Sequence, residues 1–374
     1  MTVAHESWWR IDNADDVPSP ALLIYPDRAE ANIRRMVEMA GDASRLTPHV
    51  KTHKLAPLVA MHLKHGIRRF KCATIAEAEM AAAAGADDVL LAYQPVGPAV
   101  ARLIALAQQY PKTRFSVIAD DAGAIDAIAR VADASGVTVP VLLDLDVGMH
   151  RTGIPPGPEA QALYRVLTAH RGVVAGGLHA YDGHLRDADP AVRIEKSNAA
   201  FAAVESLREA LVADGLPVPR VVAGGSPTFP AHARRPGVEP SPGTTVLWDA
   251  GYTTQIPDLE FLPSAVLLTR VVSKPGGTRV CVDLGHKAVA SEGPHPRVQL
   301  LDPPLGVVTF VGHSEEHLVF ETPHAFELAV GDVCYGVPWH VCPTVALHSE
   351  AFVVTDGRVT ERWPIRARDR RLTL

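Results

Sequence analysis

Between Thr47 and Gly251, short β-branched apolar runs alternate with Ala/Leu-rich segments whose apolar residues recur at helical spacing. The runs at Leu46–Lys51, Phe70–Thr74, Val89–Tyr93, Phe115–Asp120, Val139–Asp146, Gly176–Tyr181, Val221–Gly225 and Thr245–Asp249 predict eight strands. Amphipathic segments at Lys54–Lys64, Ile75–Ala84, Pro98–Tyr110, Ala122–Ala134, Pro158–His170 and Pro190–Asp214 predict the helices between them, with a short turn after Thr228. Eight strand–helix units in about 200 residues fit an α/β (β/α)8 TIM-type barrel better than an open sheet. After Tyr252 the pattern changes. Val266–Ser273, Thr278–Asp283, Gly306–Val311, His317–Glu321, Asp332–Cys334 and Ala351–Thr355 read as strands separated by Pro and Gly turns. The expected organisation is a barrel over 26–251, its first helix at Pro26–Ala40, and a β-rich domain from 1–25 plus 252–374. The Ala21–Tyr25 strand suits either part.

Composition narrows the function classes. The 374 residues are 47% apolar with a net charge of −6, and both signs are interspersed, which gives no nucleic-acid footprint. No apolar stretch approaches the roughly 20 residues that span a bilayer. The N-terminal residues, with Glu6 and two tryptophans, lack a signal-peptide layout, and a cytoplasmic protein is expected. Cys72, Cys281, Cys334 and Cys342 are too scattered for a disulfide framework.

Chemistry gathers where a barrel would place it, at the carboxyl ends of the strands. Lys51, in Pro48-His49-Val50-Lys51-Thr52-His53-Lys54, ends the first predicted strand. Desolvation there would leave a neutral amine able to condense with an aldehyde such as that of pyridoxal phosphate. The plain alternative is a solvated lysine at a helix start. Gln94, Asp144, Asp146, Arg151, His179, Tyr181 and Asp182 end or follow other strands. Gly224-Gly225-Ser226-Pro227-Thr228 is the phosphate candidate, with close-approaching backbone N–H groups and the Ser226 and Thr228 hydroxyls; a tight turn is the alternative. His340 and Cys342, spaced i, i+2 on a segment read as extended, offer imidazole and thiolate to a divalent metal, or are a surface histidine beside a buried cysteine.

Together with Val17-Pro18-Ser19-Pro20-Ala21, Asp144-Leu145-Asp146-Val147-Gly148-Met149-His150-Arg151-Thr152-Gly153, Tyr181-Asp182-Gly183-His184 and Ser314-Glu315-Glu316-His317, these motifs span nearly the whole chain. The sequence resembles the D-threonine aldolase / D-serine dehydratase family of fold-type III pyridoxal-phosphate enzymes, which share an alanine-racemase-like architecture. The resemblance implies that Lys51 holds pyridoxal 5'-phosphate as a Schiff base. Arg151 and Tyr181 would face its ring, and Gly224, Gly225 and Ser226 its phosphate. His340 and Cys342 would bind a divalent metal (Mn2+, Mg2+ or Zn2+). Ala346 departs from the pattern, where a polar residue is expected. The implied activity is a metal-dependent lyase on small D-3-hydroxy amino acids, D-threonine aldolase first. Dehydration of D-serine or 3-hydroxyaspartate, or a non-catalytic pyridoxal-phosphate carrier, are the alternatives. His179 and His184 are candidate bases for the β-hydroxyl, and a homodimer without nucleic-acid or membrane partners is implied.

Overall fold

The computed structural model describes residues 7–301 and 308–374. They form two compact units, one comprising Ile33–Thr245 with Asp369–Leu374, the other the residues up to Asn32 with Val246–Arg368. No helix among the described residues is long and apolar enough to cross a membrane.

The first unit is the barrel. Seven parallel strands follow in chain order, Arg69–Cys72, Asp88–Leu91, Arg114–Ala119, Val139–Leu145, Val173–Ala180, Val221–Ala223 and Val238–Pro240. The eighth stave is Thr47–His49, which closes the ring with single hydrogen bonds. Thr47 N–H donates to Pro240 O (3.1 Å) and His49 N–H to Pro242 O (2.8 Å), while Lys71 N–H donates to Pro48 O (2.9 Å). At the amino-terminal end of the staves Glu239 ties the closure together. Its carboxylate accepts from Thr47 Oγ1 at 2.8 Å, Arg69 Nη1 at 2.9 Å and Arg220 Nη2 at 2.5 Å. The connecting helices start where their capping residues dictate: Thr74 accepts from Glu77 N–H, Asp121 from Ala124 N–H and Asp189 from Ala191 N–H. Pro98, Pro158 and Pro190 occupy first-turn positions that need no donor.

Two strand expectations are corrected. Leu46–Lys51 is not a continuous strand, because Val50–Thr52 winds into a 3-10 turn that carries Lys51. Thr245–Asp249 is not the last stave either. Thr244–Val246 is a 3-10 turn, and Asp249 caps the helix Ala250–Gln255 by accepting from Tyr252 N–H. That place in the ring belongs to Val238–Pro240, three residues long and ended by proline, too short for alternation to show.

The second unit is built around the long strand Ala265–Gly276. It pairs antiparallel with Ala21–Ile24, Arg279–Val282 and Val333–Pro338. Ala21–Ile24 pairs parallel with Glu350–Thr355 on its other side, so this strand belongs to the β unit. Leu23, Tyr25, Val266, Leu268, Tyr335 and Phe352 form its core, with Trp8 and Trp9 against them. The strand expected at Gly306–Val311 is found at Thr309–His313, its first two positions lying outside the described residues. Val298–Leu300 and Arg358–Pro364 are further strands that the sequence pattern missed.

Candidate active site

The carboxyl ends of the barrel strands surround a cavity of about 580 Å³ whose walls include Lys51, Lys71, Arg151, His179 and Tyr181. Three cations gather around the Tyr181 ring. The Lys51 and Lys71 amines each lie 5.7 Å from the ring centroid, and the Arg151 guanidinium lies 5.2 Å away. Lys51 is half-buried, on the turn that follows the closing stave. That turn is held by imidazoles: His49 Nδ1 accepts from Lys51 N–H at 3.4 Å and His53 Nδ1 from Leu55 N–H at 3.1 Å. Both bonds need an unprotonated Nδ1. Burial, then the charges of Lys51 and Lys71, hold His49 well below its ordinary pKa, and burial first, then His62 and Lys54, does the same to His53. Both rings are therefore neutral acceptors at neutral pH.

His179 comes from the strand Val173–Ala180, in register with Asp144 on the neighbouring strand. Its Nδ1 lies 2.7 Å from Asp144 Oδ1, and both side chains are buried. Burial, joined by the charges of Lys71 and Arg151, lowers the His179 pKa against the pull of Asp144. The ring is then neutral with its proton on Nδ1, facing the carboxylate, so Nε2 carries a lone pair. That Nε2 is buried and has no hydrogen-bond partner. His184, by contrast, is exposed, lies over Gly148 and is not part of the cavity wall.

The glycine motif sits at the end of the Val221–Ala223 strand. Gly224 adopts φ +79°, and a Cβ there would fall 2.4 Å from His232 Cδ2. A Cβ on Gly225 would come within 3.0 Å of the Tyr181 ring. Thr228 does not face the motif as a free donor: its hydroxyl donates to Asp182 at 2.6 Å. Asp182 is buried and also binds His232 Nε2 at 2.9 Å and Ser197 Oγ at 3.2 Å, so it anchors the loop from behind. Ser226 Oγ accepts from the N–H groups of Gly243 (3.2 Å) and Thr244 (2.9 Å). Gly225 N–H donates to Thr228 Oγ1 at 3.4 Å, so hydroxyl oxygens now take the amides of Gly225, Gly243 and Thr244, the set of donors that could cup an anion. Its second half, Gly243 and Thr244, was not singled out from sequence because Pro242-Gly243 reads as an ordinary turn. Lys71 was also missed. The signal was a lysine in the middle of the apolar pattern Phe70-Lys71-Cys72, where a strand buries alternate positions.

Gln94 and Asp120 line the cavity as well and, like Asp146 beyond it, hold backbone in place. Gln94 Oε1 accepts from Asp120 N–H, Asp120 Oδ2 accepts from Gly153 N–H, and Asp146 gathers Gly148 N–H and His150.

In the β unit, His340 and Cys342 are not on an extended segment. His340 is the N-cap of the helix Val341–Leu347 and Cys342 lies in its first turn. The two side chains still meet in a hydrogen bond. Burial opposes protonation of His340, but Cys342, Asp249 and Glu292 outweigh it and raise its pKa to about 9. His340 Nδ1 lies 2.5 Å from Glu292 Oε1, and Asp249 Oδ2 accepts from Val341 N–H at 3.1 Å. Among the described residues no three His, Cys, Asp or Glu side chains are grouped as a metal centre.

Known proteins match both units. Residues 24–246 match the model of the alanine racemase N-terminal domain, and residues 264–354 that of a putative serine dehydratase domain. A D-threonine aldolase of an Arthrobacter species is 32% identical, over 94% of this chain and 93% of its own. The crystal structure of D-threonine aldolase from Filomicrobium marinum superposes with a TM-score of 0.87 at 29% identity, covering 96% of this chain and 98% of that one. D-threo-3-hydroxyaspartate dehydratase from Delftia sp. HT23 follows with a TM-score of 0.82 at 25% identity, over 93% and 97%. The chain belongs to the D-threonine aldolase / D-serine dehydratase family of fold-type III pyridoxal-phosphate lyases, an alanine racemase N-terminal barrel combined with a serine dehydratase domain.

Proposed function

We propose that this lyase cleaves the Cα–Cβ bond of D-3-hydroxy amino acids, with D-threonine giving glycine and acetaldehyde, using pyridoxal 5'-phosphate and a divalent metal. The observation that carries the reading is a reactive-amine candidate and an aromatic ring in one barrel-mouth cavity, with the glycine motif closing on the far side of that ring. The residues suit the cofactor: the two glycines leave no room for side chains where the cup approaches Tyr181 and His232, and its amides are the donors a phosphate monoester needs. When bound, pyridoxal supplies the electron sink for the carbanion left by bond cleavage.

The chain's residues divide the remaining work. Lys51 Nζ is the amine that would hold the cofactor aldehyde, and as a free amine it could carry a proton beside the substrate. Tyr181 and Arg151, stacked within 5.2 Å of each other, would flank the cofactor's ring and orient it. His179, neutral and with its Nε2 lone pair unused, accepts the β-hydroxyl proton, while Asp144 holds the tautomer and steadies the imidazolium that forms. His340 and Cys342, whose side chains meet at the start of the helix Val341–Leu347, would once deprotonated offer imidazole and thiolate donors that suit a borderline divalent ion, with the remaining positions left to water.

D-Threonine and D-serine assayed in parallel, with Mn2+ or with EDTA, test the reading. Glycine and acetaldehyde from D-threonine, lost on chelation, support it. Pyruvate and ammonia from D-serine without cleavage of D-threonine assign the dehydratase instead.

A further inference from the structure

Lys71 is not used by the chemistry above, yet it is one of the largest fully buried side chains in the molecule. It is the third residue of the strand Arg69–Cys72 and pairs in register with Leu90. Leu90 belongs to the apolar cluster of the barrel interior, with Ile118, Leu142 and Val222. The amine thus rises from a layer of hydrocarbon into the cavity floor. Its hydrogen-bond partner is Ser241 Oγ, at 2.5 Å. Asp144 and Asp182, the carboxylates whose fields reach Lys71, are bonded elsewhere, to His179 and to Thr228, His232 and Ser197. Lys71 forms no ion pair among the described residues. Burial, reinforced by the charge of Lys51, pulls its pKa from 10.5 to about 7.

Ser241 connects this amine to the anion cup. Its hydroxyl donates to Gly224 O at 2.9 Å, and the chain runs from it directly into Gly243 and Thr244, whose amides line the other side. A cation buried without a counter-charge destabilises the protein, and an anion arriving next to it relieves that penalty. We propose that Lys71 is a binding residue for the cofactor's phosphate, the buried counter-cation of a monoester seated on the amides of Gly225, Gly243 and Thr244. The assignment rests on the pyridoxal-phosphate reading and adds to it the residue that makes the pocket demand a phosphorylated aldehyde.

Apoenzyme of the wild type and of Lys71→Met is titrated separately with pyridoxal 5'-phosphate and with unphosphorylated pyridoxal, following the imine's visible absorbance. The wild type binds the phosphorylated aldehyde more tightly; Lys71→Met loses at least about tenfold of that affinity and keeps its affinity for pyridoxal. Inorganic phosphate alone raises the melting temperature of wild-type apoenzyme more than that of the variant. Ser241→Ala, which keeps the amine but releases its tether, shows a smaller loss in the same direction and serves if Lys71→Met does not fold. An unchanged ratio between the two aldehydes overturns the proposal. So does unchanged cofactor affinity with a raised KM for 3-hydroxy-D-aspartate alone, which assigns Lys71 to a substrate's second carboxylate. A wild type that forms no visible band with either aldehyde removes the cofactor reading itself, and this proposal with it.

Discussion

Replacing His62 by leucine removes one identifiable source of acid sensitivity from the barrel. His62 lies in the helix Ala56–Lys64, 1% exposed, stacked on His53 with ring centroids 6.1 Å apart and edge-on to Phe70. Its Nδ1 bonds Leu58 O at 2.7 Å, and its Nε2 is buried without a partner. A proton on Nε2 would therefore place a charge where nothing solvates it, and burial lowers the pKa from 6.5 to about 4. The folded state thus takes up its proton later than the unfolded chain. The contribution is fully present above pH 6.5 and is lost as pH falls from 6.5 towards 4. At about 1.4 kcal/mol per pH unit, one such group removes about 2 kcal/mol of stability between pH 7.5 and 5. Urea unfolding followed by far-UV circular dichroism reads the barrel, which holds most of the helices. The wild type should lose about 2 kcal/mol more than His62→Leu over that interval, while the two stay within about 1 kcal/mol of each other at pH 7.5. Equal losses in both proteins would refute the reasoning. The functional link is His53, whose Nδ1 accepts from Leu55 N–H just after the Lys51 turn and against which the His62 ring is stacked.

Two further substitutions probe the site's parts. Gly224→Ala forces a Cβ into a left-handed residue against His232, and should cost about 2–4 kcal/mol and weaken cofactor binding, read by thermal melting and by absorbance titration. A variant as stable as the wild type would mean that the loop relaxes freely. Cys342→Ala should retain the yellow chromophore while metal content, measured by elemental analysis, and turnover both fall; undiminished turnover contradicts the metal role.

Most of the barrel was legible because its signals are local. A proline or a capping side chain marks the start of each helix at Ile75, Pro98 and Ala122, and both mark the one at Pro190. The closing staves were not legible for the opposite reason. Thr47–His49 and Val238–Pro240 are defined by the partners they hydrogen-bond across the ring, with too few residues for alternation. Lys51 was found by motif, yet its local structure was misread, since the chain leaves the strand in a turn closed on Val50 O and braced by His49 and His53. Burial depresses the amine of Lys71, a residue the sequence pattern did not single out. Likewise the His340–Cys342 pair is brought together by a helix start, not by strand alternation. Sequence gave the donors; the backbone that aims them depends on contacts far along the chain, such as Asp249 with Val341.

The central claim is that the Lys51 amine, and no other, carries the cofactor. Borohydride reduction of the holoenzyme followed by proteolysis and peptide mapping tests it directly. The pyridoxyl label should appear on the peptide containing His49-Val50-Lys51-Thr52, and Lys51→Ala should be colourless and unlabelled. A label on the Lys71 peptide, or none on either, would contradict the account.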